Sequence, residues 1–166
     1  MSDPSQVDKN LSHLSPDFRS MVEATLKLAN QYSFDLSTGQ AKYPNFKEWV
    51  VFEGYRTVAR QEWLYAQGRT RPGDKVTKAR SPKWHGYGLA ADIVWKDNNG
   101  RVHWDGGAEM WKTLGHCARA NSLEWGGDWS DFVDEPHIQI PKTVIAGWRV
   151  RAKTYLNGIG LSTPTG

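Results

Sequence analysis

The chain has 166 residues, and its 21 Lys and Arg against 18 Asp and Glu give a formal net charge of +3. Hydrophobic residues make up 39% of the chain and charged residues 23%, which excludes disordered and fibrous classes and predicts one globular domain over residues 1–166. The basic excess permits binding to a polyanion, but no nucleic-acid-binding motif accompanies it. We therefore expect no nucleic-acid partner.

Neither the start of the chain nor its cysteine content indicates export. The segment MSDPSQVDKN has no basic region followed by an apolar one, and no window approaches the ~18 apolar residues of a membrane span. Cys117 is the only cysteine, so the fold does not depend on an intrachain disulfide. We expect a chain made in the cytosol without a signal peptide and without stable membrane insertion.

The first half of the chain predicts a helix, a strand and a second helix. Ser15-Pro16-Asp17 is typical of a helix start, and apolar residues at helical spacing favour a helix over 16–32. The run from Trp49 to Phe52 is β-prone, and Thr57 is the expected cap of a helix that reaches about Gln67. Residues 1–13 are polar and are expected to be loosely held.

The second half begins with a basic loop over residues 69–84, which holds six basic side chains and one acid. The elements predicted after it are strands at 89–95 and 102–104 that form a hairpin, a helix at 107–120, a strand at 136–140, a helix at 142–156 and a tail at 158–166. The apolar face of the 107–120 helix includes Cys117 and leaves out His116. This pattern assigns the thiol to the core.

The segment from His85 to Asp92, HGYGLAAD, is the most informative for function. It sets a histidine on a turn that contains two glycines, and it places a carboxylate between Ala91 and Ile93 in an apolar strand. A buried carboxylate must be paired, hydrogen-bonded or bound to a metal to be tolerated. On this segment alone, a metal site and a salt bridge from Asp92 to a residue such as Arg56 are equally favoured.

A second segment, Asp134-Glu135-Pro136-His137, sets an acid three residues before a histidine. Strand alternation places His137 and Gln139 on one face. An isolated histidine of this kind is more often an edge-strand residue than a ligand. Zinc peptidases, however, use three His or carboxylate ligands and leave one position open for water, and His85, Asp92 and His137 supply that set.

These motifs resemble the M15 zinc peptidases, the superfamily of D-alanyl-D-alanine carboxypeptidases and L-alanyl-D-glutamate endopeptidases. The first family signature is matched by His85, Gly88, Ala90 and Asp92. The second, an acid three residues before a histidine, falls on Asp134 and His137. Motifs of the phage-endolysin branch are matched by Gly54–Thr57, Gln61, Gly68–Gly73 and Trp125–Trp129. The resemblance runs from about residue 50 to 140.

The resemblance implies an α+β fold, with a four-stranded or similar antiparallel sheet, helices packed on it and one zinc ion per chain at its open face. It implies that His85, Asp92 and His137 hold the zinc. Asp134 would activate the attacking water, with Glu135 as the competing candidate, because the family's acid lies three residues before its second histidine. Strand alternation also turns Glu135 away.

Three further residues are assigned through the same resemblance. Arg56 is expected to face the site and to stabilise the oxyanion of the intermediate. Gln61 and Lys83 are expected to contact substrate; Lys83 stands where relatives often carry a small hydroxyl residue. The adjoining basic loop either contacts carboxylates of an acidic peptide or is a solvated segment, and the sequence favours neither.

The function implied is a zinc-dependent peptidase that cleaves the stem peptides of peptidoglycan, most specifically a phage-type endolysin that cuts the L-alanyl-D-glutamate bond. Such a protein is made in the host cytosol and acts on the wall after release, and we expect a monomer. A D-Ala-D-Ala carboxypeptidase or dipeptidase is the alternative within the superfamily. A non-catalytic wall-binding module is the alternative outside enzymes, and the presence of Asp134 and Arg56 argues against it.

Overall fold

The computed structural model describes residues 3–165. Its four helices are α1 (Pro16–Tyr32), α2 (Val58–Ala66), α3 (Ala108–Ala120) and α4 (Ile145–Gly158). Its five strands are β1 (Phe46–Glu53), β2 (Ala90–Asp97), β3 (Val102–His103), β4 (Glu124–Trp125) and β5 (His137–Gln139). Short 3-10 turns cover Leu11–His13, His85–Tyr87 and Gly126–Asp128. The α+β fold is therefore confirmed.

The strands form one antiparallel sheet in the order β1-β2-β5-β4, with β3 also paired to β2. The β2–β3 hairpin lies where the turn residues predicted it. β4 was not predicted, because two residues, Glu124 and Trp125, carry too little periodicity to indicate a strand. The sheet consequently has five strands instead of about four.

β2 is the central strand and explains how a carboxylate comes to lie in the interior. It pairs with β1 along one edge and with β5 along the other. In these registers Asp92 lies opposite Glu53 of β1 and opposite His137 of β5. Because side chains alternate along a strand, Asp92 faces one side of the sheet and Ile93 the other.

The apolar face of the sheet is covered by α1 and α3. The fully buried side chains of this core include Phe18, Trp49, Ile93, Trp111, Leu114 and Ile138. Cys117 is also fully buried there, which confirms its assignment to packing. The tryptophans differ in burial: Trp49 and Trp111 lie in the core, whereas Trp104 is 48% exposed.

The caps of the first two helices differ in detail. Thr57 caps α2 as predicted, and its Oγ1 accepts a hydrogen bond from the backbone N–H of Arg60 at 3.1 Å. Ser15 is the N-cap of α1 but caps without its side chain. Its backbone N–H instead donates to the carbonyl of Gly88 at 3.0 Å, which ties the start of α1 to the turn that carries His85.

The segments at both ends contact the elements around the site. Residues 3–13, expected to be loosely held, include Asp8, whose carbonyl accepts from the N–H of Gly54 at 2.8 Å. α4 begins and ends later than predicted, and the chain after it returns to the domain. The carbonyl of Ser162 accepts a hydrogen bond from the Tyr55 hydroxyl.

Candidate metal centre and catalytic cleft

Three side chains from separate elements converge at one point of the sheet. His85 comes from the 3-10 turn before β2, Asp92 from β2 and His137 from β5. One potential ligand atom from each lies within 4.8 Å of the others. All three are at least 90% buried, and the imidazole rings of the two histidines lie 5.2 Å apart in an edge-on arrangement.

The turn that carries His85 depends on Gly88. Gly88 has a φ of +60°, and a Cβ added there would lie 2.6 Å from the carbonyl oxygen of His13, so a side chain is excluded. The Nδ1 of His85 lies 2.7 Å from the carbonyl oxygen of Gly54. A carbonyl only accepts, so Nδ1 carries the hydrogen and Nε2 presents its lone pair 3.4 Å from Asp92 Oδ1.

His137 is held between two oxygens. Its Nδ1 lies 3.1 Å from Asp92 Oδ1, and its Nε2 lies 2.8 Å from the amide oxygen of Gln139. Burial alone would lower the pKa of His137, but the hydrogen bond and charge of Asp92, with the nearby charge of Asp134, raise it. Oδ1 of Asp92 is therefore the common neighbour of both imidazoles.

The charge states of His85 and Asp92 fit a metal ion. Burial, together with the positive charge of Arg56, lowers the pKa of His85 and favours the neutral imidazole. Burial opposes ionisation of Asp92, but the neighbouring histidines and Arg56 hold its pKa well below its usual range. Two imidazoles and one carboxylate match the donor set of zinc hydrolases, which leave a further position for water. His85, Asp92 and His137 could thus hold a metal ion.

Arg56 lies behind Asp92 in a buried network of ion pairs. Its Nη2 donates to Asp92 Oδ2 at 2.9 Å and to Glu53 Oε2 at 2.8 Å, while its Nη1 donates to the Gln61 amide oxygen at 2.9 Å. Its Nε is buried without a hydrogen-bond partner in residues 3–165. A metal site and a salt bridge at Asp92 are therefore compatible, because one carboxylate oxygen pairs with Arg56 and the other faces the histidines.

Asp134 lies in the wall of the cleft and is held through its backbone. Its N–H donates to the carbonyl of Gly126 at 3.0 Å, and its own carbonyl accepts from the N–H of His137 at 3.1 Å. A Cβ on Gly126 would lie 2.2 Å from the Asp134 carbonyl, so this approach requires glycine. Burial, assisted by the charge of Asp92, raises the pKa of Asp134, whereas Glu135 is absent from the cleft lining.

The cleft has a volume of about 700 Å³ and includes all three potential ligands. Lys83 is exposed at its rim, and residues 76–79 and 81–83 of the basic loop form part of its lining. Gln61 also lines it but is only 2% exposed. The Gln61 amide bonds internally, to Arg56 and, through Nε2, to the carbonyl of Ala79 at 2.6 Å.

Several side chains that shape the site were given no role in it from the sequence. Glu53 pairs with both Arg56 and Arg60, at 2.8 Å each. The indole of Trp129 lies 5.1 Å from the His137 ring. Gln139 and Glu124 lie directly opposite each other in the β4–β5 pairing. Alternation along β5 had placed Gln139 beside His137, but the other contacts depend on tertiary pairing.

Fold and site together define an α+β domain with a potential metal centre, and comparisons with known proteins show similarity to peptidases. Residues 76–140 match the peptidase M15 family described as D-alanyl-D-alanine carboxypeptidase. The peptidoglycan L-alanyl-D-glutamate endopeptidase CwlK of Bacillus subtilis is 38% identical over 99 residues, which are 55% of this chain and 59% of CwlK. Residues 76–140 are thus similar to the M15 peptidases, and the chain spans about three fifths of the length of CwlK.

A solved structure supports the fold. The L-Ala D-Glu endopeptidase ChiX of Serratia marcescens aligns with a TM-score of 0.53 over 85% of this chain and 90% of that one, at 24% sequence identity. No helix in residues 3–165 is long and apolar enough to cross a membrane. The matched segment of the family, residues 76–140, contains all three potential ligands and Asp134.

Proposed function

We propose that this protein is a zinc-dependent peptidoglycan endopeptidase that hydrolyses the L-alanyl-D-glutamate bond of the stem peptide. The observation that carries the proposal is the convergence of His85, Asp92 and His137 within 4.8 Å in a cleft that also contains Asp134. A metal-ligand set and a carboxylate with a raised pKa in one cleft are the parts required for metal-assisted hydrolysis of an amide.

The metal proposed is zinc, one ion per chain. Two imidazoles and a carboxylate are a common catalytic zinc set, whereas magnesium and calcium prefer sites built only from oxygen. When bound, zinc would supply Lewis acidity and lower the pKa of a water molecule in the site to about 7.

The chain's own residues would perform the proton transfers. Asp134 would take a proton from the attacking water and return it to the leaving amine, and burial favours this role because it brings the pKa of the carboxyl closer to neutral pH. Arg56 would add positive charge beside the reacting carbonyl, held in place by Glu53 and Gln61. Loss of such a donor costs on the order of 10²–10³-fold in rate.

The bond is proposed from the two relatives, both described as L-alanyl-D-glutamate endopeptidases. The charge of the cleft is consistent with an acidic peptide, since Lys83 and Lys142 are exposed and belong to its lining. The alternative is D-Ala-D-Ala carboxypeptidase activity, which is favoured by the description of the matched family.

We also propose that the protein acts as a phage-type endolysin, on the motifs at Gly54–Thr57, Gly68–Gly73 and Trp125–Trp129. Purified protein added to permeabilised Gram-negative cells should then reduce their turbidity. If the protein cleaves purified muropeptides but leaves the turbidity of the cells unchanged, the endolysin proposal is refuted and the peptidase proposal is not.

Mass spectrometry of purified muropeptides after digestion tests the reaction. New N-terminal D-glutamate is the expected product, and free D-alanine would favour the carboxypeptidase. Activity should disappear with a chelator and return with added zinc, and metal analysis should find about one zinc per chain. A protein without bound transition metal whose cleavage survives chelation would refute the mechanism.

A further inference from the structure

The His137 ring is connected to a chain of polar contacts that no reaction step uses. Its Nε2 lies 2.8 Å from Gln139 Oε1, and Gln139 Nε2 donates to Glu124 Oε1 at 3.3 Å. The same Glu124 oxygen accepts from the indole N–H of Trp129 at 2.7 Å, and the other accepts from the backbone N–H of Lys142 at 3.2 Å. Glu124 is therefore held from three directions.

The direction of each hydrogen bond follows from the chemistry of the groups. A carboxylate offers only acceptors, so Gln139 must turn its NH₂ toward Glu124 and its oxygen toward His137. The reverse orientation would place the amide oxygen of Gln139 against the carboxylate oxygen of Glu124, and neither atom can donate a hydrogen bond. Because the amide oxygen only accepts, the Nε2 of His137 must carry a hydrogen.

This assignment also determines which nitrogen of His137 is free to bind a metal. With Nε2 as the donor to Gln139, Nδ1 is the atom that faces Asp92 and the centre of the proposed metal site, at 3.1 Å from Oδ1. His85 has the opposite arrangement, because its Nδ1 is bound to the Gly54 carbonyl and its Nε2 faces the centre. The two histidines thus present different nitrogens, each fixed by its own acceptor.

We propose that Glu124 and Gln139 are positioning residues that fix His137 as the Nε2–H tautomer, so that Nδ1 is its metal-binding atom. Glu124 acts through the orientation of the Gln139 amide. Gln139 is 4% exposed and lies opposite Glu124 in the sheet, so the orientation is protected from water. The inference rests on the proposed zinc site and adds how one of its ligands is oriented.

Zinc affinity of folded variants, measured by competition with a chromophoric chelator, tests this role. Gln139→Met removes the acceptor at similar size and should weaken zinc binding about 10–100-fold, the usual effect of losing a partner of a metal-bound histidine. Glu124→Ala should also weaken it, but should add little in the Gln139→Met background, because Glu124 acts through that amide. Gln40→Met, an exposed position outside the cleft, is the matched control.

Nitrogen-15 NMR of the histidine side chains gives a direct readout on the unmodified protein, with His137 assigned by its loss in His137→Ala. The zinc-loaded protein should show a protonated Nε2 and a metal-bound Nδ1 for His137. A metal-bound Nε2, or wild-type zinc affinity in Gln139→Met, would overturn the proposal, as would equal effects of Glu124→Ala in both backgrounds. If the wild-type protein itself bound no zinc, the proposed function would fail instead.

Discussion

Replacement of Arg56 by methionine separates the structural and chemical roles of the buried ion-pair network. Arg56 is 9% exposed and its Nη2 contacts both Glu53 and Asp92 at under 3 Å. Methionine keeps much of the length but leaves two buried carboxylates with less compensation. Breaking a buried pair by removing one partner costs about 3–5 kcal/mol, which corresponds to a Tm lower by about 6–20 °C for a domain of this size.

Arg60→Met is the matched control for this prediction. Arg60 is 7% exposed and donates to Glu53 at 2.8 Å, but it does not contact Asp92. Its loss should therefore lower stability in a similar range while sparing turnover. Arg56→Met should in addition lower turnover by on the order of 10²–10³-fold, since it removes the proposed oxyanion donor.

The assay needs three measurements on the same preparations: thermal unfolding, zinc content, and the rate of muropeptide cleavage per zinc-loaded folded molecule. The stability reasoning is refuted if Arg56→Met unfolds at the wild-type temperature. The chemical reasoning is refuted if both variants lose stability but cleave at equal rates per folded molecule. In that case Arg56 would serve only to hold Asp92.

Four further predictions concern the site and the core. His137→Ala should lose both zinc and cleavage, measured by metal analysis and muropeptide digestion, whereas Asp134→Asn should keep zinc and lose turnover by about 10²–10⁴-fold. Glu135→Gln should retain most activity; the reverse pattern would exchange the two roles. The pKa of Asp134 is raised above the ordinary value of 3.8, and the carboxyl must be ionised to act as the base. kcat/KM should therefore rise with pH as Asp134 ionises, at a pH above 3.8, and Asp134→Asn should abolish this rise. Burial raises the pKa of Cys117 to about 11, so a thiol reagent at pH 8 should label it only after unfolding, and Cys117→Ser should leave turnover in place.

Asp92 and His85 could be identified as candidate metal ligands because their immediate neighbours in the sequence make them unusual. Asp92 interrupts an apolar strand, and such a carboxylate requires a partner. His85 stands beside a glycine that permits a left-handed turn, and the structure has φ of +60° at Gly88. Local chemistry of this kind is visible in a window of ten residues. The structure then brings these residues together with His137, which is 45 positions from Asp92.

The supporting residues could not be predicted in the same way. Glu124 belongs to a two-residue strand, and nothing nearby in the sequence indicates that its carboxylate meets Gln139, 15 positions away. Gln61, in contrast, was assigned a role from the sequence, but its side-chain partners were not predicted. Its place in a family motif suggested contact with substrate, but the structure shows its amide bonded to Arg56 and Ala79. Side-chain partners of this type are set by the register of the sheet, which the sequence specifies only globally.

The register itself connects stability to chemistry in this protein. Glu53, Asp92 and His137 lie at paired positions on three adjacent strands, so the β1–β2 and β2–β5 pairings assemble the site. A slip of one residue in the β2–β5 pairing would turn His137 toward the core and Ile138 toward the cleft. The apolar face prevents this slip, because Ile138 is fully buried against the core. Burial of one face thus fixes the positions of the potential ligands on the other, where Arg56 contacts Asp92 and Gln139 contacts His137.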